Sequence, residues 1–535
     1  MATGARLAAA GADAMPAEVQ DESAFPPLPV FFAFIMMAFG MFMAILDIQI
    51  VSASLGQIQA GLAASADEIS WVQTSYLVAE VVMIPLSGFL SRALSIRWLF
   101  VFSCAGFTLA SLLCALSTSI GEMIAARALQ GFVGGAMIPT VYAASFLMFG
   151  RKRQTGVTVT VSFIVTLAPT LGPALGGWIT SVLSWHWLFL INIIPGILIS
   201  FGVATLVKLD APNLPLLKKI DLLGLVALAA TCGGAVFVLE EGARYQWFED
   251  RTVLTMACVA LCAALLLWWR VTTAEEPIVS FRPLGNLNFL GGSLMGAVFG
   301  IGLYGLVYLY PLYLARIAGL SSGQIGNTVF VTGLFMALGA PIAGWVSQRI
   351  DVRVMACIGF LLLATSTWMT HYIDIEWRFN ELVLPQALRG LGIMCCIVSV
   401  SVMSFGTLPN PLIKDATGLF TLFRNVGGAI GIAIINTIVL ERFNHHYSRL
   451  GEATNPGRAE IVERYDMMTG LAAARGMPDP EGFALRALAN EVNRQALVMS
   501  YADAFWVLSL LFVAFSVVPL FLKKPGTFAD AQEVH

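Results

Sequence analysis

Five charges stand inside long apolar stretches of this 535-residue chain: Asp47, Glu80, Arg127, Arg389 and Arg424. A charge in hydrocarbon costs at least about 2.5 to 3.5 kcal/mol on insertion scales, so each must face a cavity or a partner and is a site candidate by default. At a rise of about 1.5 Å per residue, Glu80 falls near the middle of its stretch, while Asp47 and Arg127 fall in the outer halves of theirs. Asp47 and Arg127 are therefore placed to meet, either as a fixed structural ion pair or as a pair that breaks when the carboxylate takes a proton. Glu80 has no neighbouring base in sequence, and an isolated mid-span carboxylate suits a proton site or a counter-charge for a cationic substrate. Arg389 and Arg424 with Asn425 either bond helix-end carbonyls and a neighbouring helix or face a substrate cavity, for which Gln73, Gln130, Tyr304, Tyr308 and Gln386 are further candidates. Tyr310 and Tyr313 lie in the same stretch as Tyr304 and Tyr308, where an interfacial aromatic belt is the commoner reason for such residues.

The elements that must hold these side chains are membrane helices. Hydrophobic residues make up 58% of the chain and charged residues 12%, with a mean hydropathy of +0.80, so the lipid bilayer is the solvent. Runs of roughly 20 apolar residues fall near 30-53, 70-92, 97-118, 120-143, 155-180, 187-208, 221-240, 251-272, 288-315, 323-347, 352-371, 378-407, 415-441 and 498-523, about fourteen spans in an all-α membrane fold. Pro85, Gly88, Ser91 and Arg97 recur as Pro341, Gly344, Ser347 and Arg353, each 256 positions on. Ala128-Leu129-Gln130-Gly131 returns as Ala387-Leu388-Arg389-Gly390, and the run from Leu171 to Gly176 is answered by Val426 to Gly431. Duplicated bundles facing each other are how secondary transporters build a site at the membrane midplane. The same shift lands the first span just before the ninth, so the seventh and eighth are an insertion. The expected division is a tail at 1-29, an N-terminal six-helix bundle at 30-208, two inserted helices at 209-287, a C-terminal six-helix bundle at 288-523, and a tail at 524-535.

One set of short loops and span ends collects Arg92, Arg97, Arg151, Lys152, Arg153, Lys208, Lys218, Lys219, Arg270, Arg282, Arg349, Arg353, Lys414, Lys523 and Lys524. The opposite set holds Arg244, Arg251, Arg316 and Arg378. The first side is therefore expected to be cytoplasmic, with both termini on it. Residues 1-29 are Ala-rich and acidic without a basic leader and are expected to be an uncleaved, disordered tail. The polar stretch 442-497 then lies outside. Ile461, Tyr465, Met468 and Leu471 at helical spacing, and the residues after Asp479-Pro480-Glu481, predict two amphipathic helices there, either a solvated hairpin on its own bundle or a docking surface for another protein. His445-His446 lacks a third ligand at metal-binding spacing, so no metal is expected. All eight cysteines lie in apolar segments, which argues against a disulfide framework. The net charge of -3 gives no electrostatic case for nucleic acid, and no Walker A pattern, nucleophile-base pair or cofactor motif points to an enzyme.

Gly172-Pro173 with Gly176-Gly177 in the fifth span permits close helix contact and bending, a seam on which a bundle can rock. Together with Leu46-Asp47-Ile48-Gln49-Ile50-Val51 in the first span and Arg127 to Gly131 in the fourth, this pattern resembles the fourteen-span drug:proton antiporter family of the major facilitator superfamily, DHA2, in its EmrB-like branch, over about residues 30-525. Trp71-Val72-Gln73-Thr74-Ser75-Tyr76, Gly242 with Trp247, and the outer loop opening on His445-His446 also fit that branch. The resemblance implies a proton-coupled multidrug exporter of the inner membrane, moving hydrophobic or amphipathic small molecules against protons, with Asp47 and Arg127 in coupling. It also implies a periplasmic adaptor and an outer-membrane channel as partners. A metabolite or siderophore exporter of the same fold and a non-transporting sensor remain as alternatives. The chain departs from the family after the second span: Gly88-Phe89-Leu90-Ser91-Arg92-Ala93-Leu94-Ser95-Ile96-Arg97 lacks the usual Asp and second Gly, which puts the inner charge latch in doubt. Gly56 also stands where a Pro is common, which clouds the bend of the first span.

Overall fold

The computed structural model describes residues 28–65, 68–149, 154–207, 210–274, 277–320, 322–409, 412–455 and 457–524. Almost all of the two expected tails and the loop cations Arg151, Lys152, Arg153 and Lys208 lie outside the described residues. Every regular element among the described residues is helical, as hydrocarbon demands, because a helix satisfies its backbone polar groups within itself. Thirteen helices are long and apolar enough to cross a membrane, and Gln154–Val182, of 29 residues, stands in the fifth position.

The first three spans are Leu28–Ala53, Trp71–Leu94 and Ile96–Leu116. The third begins where Ser95 accepts from the Trp98 amide, and Ser119 caps the fourth by accepting from the Glu122 amide. The fourth is longer than its apolar pattern predicts and is interrupted: Ile120–Gly134 gives way at Gly135-Ala136 to Met137–Met148. The sixth is likewise split, Trp187–Leu190 from Ile193–Leu206, leaving Asn192 at the break. The inserted pair is Leu222–Glu241 and Arg251–Thr273, begun by Asp221 and Asp250 caps. The ninth span, Leu287–Arg316, carries a π-helical turn at Ile301–Gly305 before Pro311. It is followed by Ser322–Ser347, Val352–Thr370 and Phe379–Phe405. At the start of the eleventh, hydrogen bonds from Arg353 hold the Asp351 carboxyl below the usual carboxylate range.

The stretch 442-497 corrects the expectation of two separate amphipathic helices. The thirteenth span runs unbroken from Ile413 to Ala453 and the fourteenth from Pro480 to Ser516, so only Ala459–Ala474 stands between them as its own helix. The start read at Asp479-Pro480-Glu481 is present, with Asp479 Oδ1 accepting from the Gly482 amide at 2.9 Å, but the helix it opens continues into the bilayer. A polar composition marks where water begins, whereas only a breaker ends a helix, and none interrupts either extension.

Packing repeats with the sequence. The first span packs on the fifth, the second and third on the fourth, and the third on the sixth; eight spans later the ninth packs on the thirteenth, the tenth and eleventh on the twelfth, and the eleventh on the fourteenth. The two six-helix bundles meet where the fifth span packs on the tenth and the second on the thirteenth. The inserted seventh span packs on the eighth and leans on the second and thirteenth, with Trp71 and Phe237 stacked at 5.6 Å.

Candidate functional site

Asp47 and Arg127 meet. Arg127 Nη1 donates to Asp47 Oδ2 at 2.6 Å and to Gln130 Oε1 at 2.7 Å, and its Nε donates to the Val72 carbonyl at 3.1 Å. Gln130 Nε2 donates to Asp47 Oδ1 at 3.2 Å and to Ser111 Oγ at 2.8 Å. The break in the sixth span delivers Asn192, whose Nδ2 donates to Asp47 Oδ1 at 2.7 Å. Asp47, Arg127, Gln130 and Ser111 have no exposure to solvent. The Tyr76 ring lies 4.3 Å from the guanidinium carbon of Arg127. Thus the first, third, fourth and sixth spans are tied to one carboxylate, so a change in its charge is felt by the bundle at once. Ser111 and Asn192 carry no sequence mark beyond being polar in an apolar run, and helix periodicity alone does not aim them at Asp47.

The second bundle answers without the acid. Arg389 is fully buried, its Nη1 donates to Gln386 Oε1 at 3.3 Å, and the Tyr310 ring lies 5.3 Å from its guanidinium carbon. Thr332 also donates to Gln386 Oε1. Arginine and glutamine have exchanged places along the repeat, and Nε and Nη2 of Arg389 have no hydrogen-bond partner among the described residues. Any proton-responsive carboxylate in this layer therefore belongs to the first bundle.

Beside the Asp47 network lies a cavity of about 700 Å³. Glu80, Gln73, Tyr304, Tyr308 and Asn425, all candidates from sequence, line it; Gln130, Gln386, Arg389 and Arg424 are not among its lining residues. Tyr304 donates to Asn425 Oδ1 at 3.3 Å and Tyr308 to Asn436 Oδ1 at 2.8 Å. Tyr310 and Tyr313, on the opposite side of the same helix, are buried against Thr370 and the Asp374 carbonyl instead. Glu80 is 3% exposed and makes no hydrogen bond among the described residues. It is less isolated than its sequence position predicts, because Arg424 of the thirteenth span and Arg127 both lie within electrostatic reach. Arg424 lies over Tyr142 at 6.0 Å and leaves Nε and Nη2 without hydrogen-bond partners among the described residues. The sequence reading missed Glu240, Glu241 and Asn436 in the lining. The first two sit at the very end of an apolar run, where a hydropathy boundary hands them to the loop.

The cavity reaches the surface at exposed Ser52 and Arg316, on the side away from the basic loops. At the basic end the bundles are locked together. Arg92, at the end of the second span, forms an ion pair with Asp415 at the start of the thirteenth, and Lys414 Nζ meets Asp210 Oδ2 at 2.7 Å. The carboxylate missing from the loop after the second span is thus supplied across the interface by the other bundle.

The small residues of the fifth span face the first. A Cβ on Gly172 would meet Gln49, and one on Gly176 would stand 2.7 Å from the Ile50 carbonyl oxygen and 3.1 Å from Ser54 Oγ. Gly427 and Gly431 meet Ala297 and Ile301 of the ninth span in the same way. Gly177 is half-buried, and the side chain of Pro173 lies outside the described residues. Gly176→Leu is expected to lower stability by about 1–3 kcal/mol through overpacking and to stop transport, while Gly121→Leu, whose Cβ would meet nothing within 4 Å, serves as the neutral comparison. Thermal unfolding in detergent checks both; equal melting of the two variants would contradict the seam.

Two pseudo-symmetric six-helix bundles enclosing a cavity at their interface, with buried charge behind its wall, define the class of multi-pass membrane transporters. The chain belongs to the Major Facilitator Superfamily, whose family model matches residues 32–432. It is 36% identical over 506 residues to the colistin resistance protein EmrB of Acinetobacter baumannii, a match covering 95% of this chain and 99% of that protein. Identity to the multidrug export protein EmrB of Escherichia coli is 26% over 493 residues, covering 92% and 95%. Among solved structures, the human organic anion transporter MFSD10 (TETRAN) shares the fold at a TM-score of 0.55 and 14% identity, covering 91% of this chain and all of that one. The EmrB-like resemblance read from the motifs therefore holds, and these relatives are transporters rather than enzymes.

Proposed function

We propose that this chain is a proton-coupled multidrug efflux antiporter that exports hydrophobic or amphipathic small molecules by alternating access. The observation that carries the reading is the buried Asp47–Arg127 pair standing behind a cavity whose exposed lining residues, Ser52, Arg244 and Arg316, all lie on the side away from the basic loops. In this reading the basic-loop side is cytoplasmic, both termini lie there, and the structure is outward-facing with its inner end latched by Arg92–Asp415 and Lys414–Asp210. A proton arriving from outside neutralises Glu80 or Asp47, weakens the tie to arginine, shifts the first bundle along the glycine seam between its first and fifth spans, and lets the two six-helix halves rock against each other where the fifth span packs on the tenth and the second on the thirteenth. The inserted pair, 209-287, stays with the bundle interface. The multidrug names of the EmrB relatives support the substrate class. The test is export across a panel of hydrophobic cations, anions and uncouplers by inverted vesicles, with and without a proton gradient. Accumulation that persists unchanged after the gradient is collapsed would remove the coupling.

The protein is further proposed to sit in the inner membrane as one part of a tripartite pump, with the helical hairpin of the thirteenth and fourteenth spans contacting a periplasmic adaptor and, through it, an outer-membrane channel. The hairpin is braced near the bilayer by Asp503, which accepts from Arg442 at 2.5 Å and lies 2.8 Å from His446, and further out by Arg464 with Glu491 at 2.8 Å. Replacing residues 450–490 with a Gly-Ser linker of about 10 residues, which spans roughly 17 Å, keeps the Asp503 brace. It is expected to spare vesicle transport and to lower the resistance of cells with two membranes. Loss of vesicle transport in a folded variant would move the hairpin from assembly to the substrate path.

A further inference from the structure

One wall of the cavity comes from neither repeat. The inserted seventh span supplies Val236, Glu240 and Glu241 to it. The two carboxylates keep different company. Glu241 accepts from Thr74 Oγ1 at 3.3 Å and lies 3.5 Å from Arg244, so its charge is answered. Glu240, half-buried in the last turn of the helix, takes part in no hydrogen bond or ion pair among the described residues, and the charged group acting on it is Glu241, a second negative charge. A carboxylate half-buried in a low-dielectric wall without an ion pair is costly to keep charged, and a cation brought beside it relieves that cost.

The other polar groups facing the cavity without a hydrogen bond among the described residues have the same sense. Glu80 lines it without a hydrogen bond, and Gln73 Oε1 is buried without a donor. The buried nitrogen donors without a partner among the described residues, on Arg97, Arg127, Gln386, Arg389 and Arg424, belong to residues that do not line it. The cations of the lining, Arg244 and Arg316, stand at its exposed rim, and Arg244 is taken up by Glu241; deeper in, unmet acceptors beside the apolar surface of Ile45, Ile48, Leu77 and Ile138 ask for a positive charge carried on an apolar body. Tyr304 and Tyr308 add aromatic surface of the kind that attracts such cations. Thr74 fixes the level of Glu241, and Glu80 lies six residues further along the same helix, about 9 Å deeper at the helical rise.

We propose that the cavity takes organic cations with apolar bodies, and that Glu240 of the inserted span is the specificity-determining residue that holds the cationic centre at the outer end. This deepens the exporter reading and rests on it for the direction of movement. The inserted pair is then a selectivity element added to the interface of a duplicated transporter.

Tetraphenylphosphonium and tetraphenylborate share size and shape and differ in the sign of charge, so they isolate the electrostatic part of recognition. With the full chain in lipid nanodiscs, the phosphonium is expected to bind about tenfold more tightly than the borate, and Glu240→Gln to remove about that factor. Glu240→Asp, which keeps the charge, is expected to stay within about threefold of the parent, and binding of uncharged N-phenylnaphthylamine to be unchanged in both variants. That last reading reports an intact cavity and separates lost recognition from misfolding. Equal binding of the two ions, or a Glu240→Gln protein that keeps its preference, overturns the proposal. Gradient-driven export of the uncharged dye without cation preference would sink the cation site and leave the exporter standing. Cation-selective binding lost in Glu240→Gln, in a protein that exports nothing under a gradient, would support the site and remove the exporter reading.

Discussion

Asp47→Ala is expected to abolish gradient-driven export and to cost about 3–5 kcal/mol of stability, the usual penalty for leaving a buried charge without its partner. Arg127 has no exposed surface through which water can replace the lost carboxylate, and Asn192 and Gln130 lose the acceptor they share. Arg127→Ala should be about as damaging for the mirror reason. The double variant removes both charges together, so its loss should fall short of the sum by about 1–3 kcal/mol. Thermal unfolding of the four proteins gives the cycle, and strictly additive losses would mean that the contact at 2.6 Å carries no energetic coupling. Export measured on the same set separates packing from coupling: the double variant should recover stability and remain unable to move substrate uphill.

The second large effect concerns Glu80. Glu80→Gln keeps the size and hydrogen-bonding capacity of the side chain and removes only the proton-dependent charge. Because the native carboxylate makes no hydrogen bond that the amide would break, the fold should be preserved. Uphill export should fall to the level of protein-free vesicles, while substrate binding and passive exchange of labelled for unlabelled substrate continue. A variant that exports at the parental rate would transfer the proton-carrying role to Asp47 alone. Arg424 gives the result a second reading, since a charge that answers Glu80 electrostatically should matter less once Glu80 is neutral. Arg424→Gln is therefore expected to do less harm in the Glu80→Gln background than in the parent.

Much of this was legible in the chain itself. Hydropathy determined that the protein is a set of about fourteen membrane helices, because only length and apolarity decide whether a segment leaves water. The 256-residue echo determined that the bundle is duplicated, and the repeated packing of first on fifth and ninth on thirteenth spans is its physical consequence. Charges isolated in hydrocarbon marked Asp47, Glu80 and Arg127, since nothing cheap explains a charge there.

Tertiary structure decided the rest. Asn192 reaches Asp47 and Ser111 because a break in the sixth helix turns it inward, and neither break nor direction is written in a pattern of mild polarity. The carboxylate of the basic-end latch comes from Asp415, 323 residues beyond the arginine it holds, a separation that no local motif spans. The outer helices run on into the bilayer because helix propensity continues where hydropathy stops. Glu240 was lost at the edge of an apolar run, since hydropathy measures depth along a helix and says nothing of which side faces a cavity. Composition and period act within one helix, whereas a site is made where several helices converge, and that convergence is set by packing between residues hundreds of positions apart.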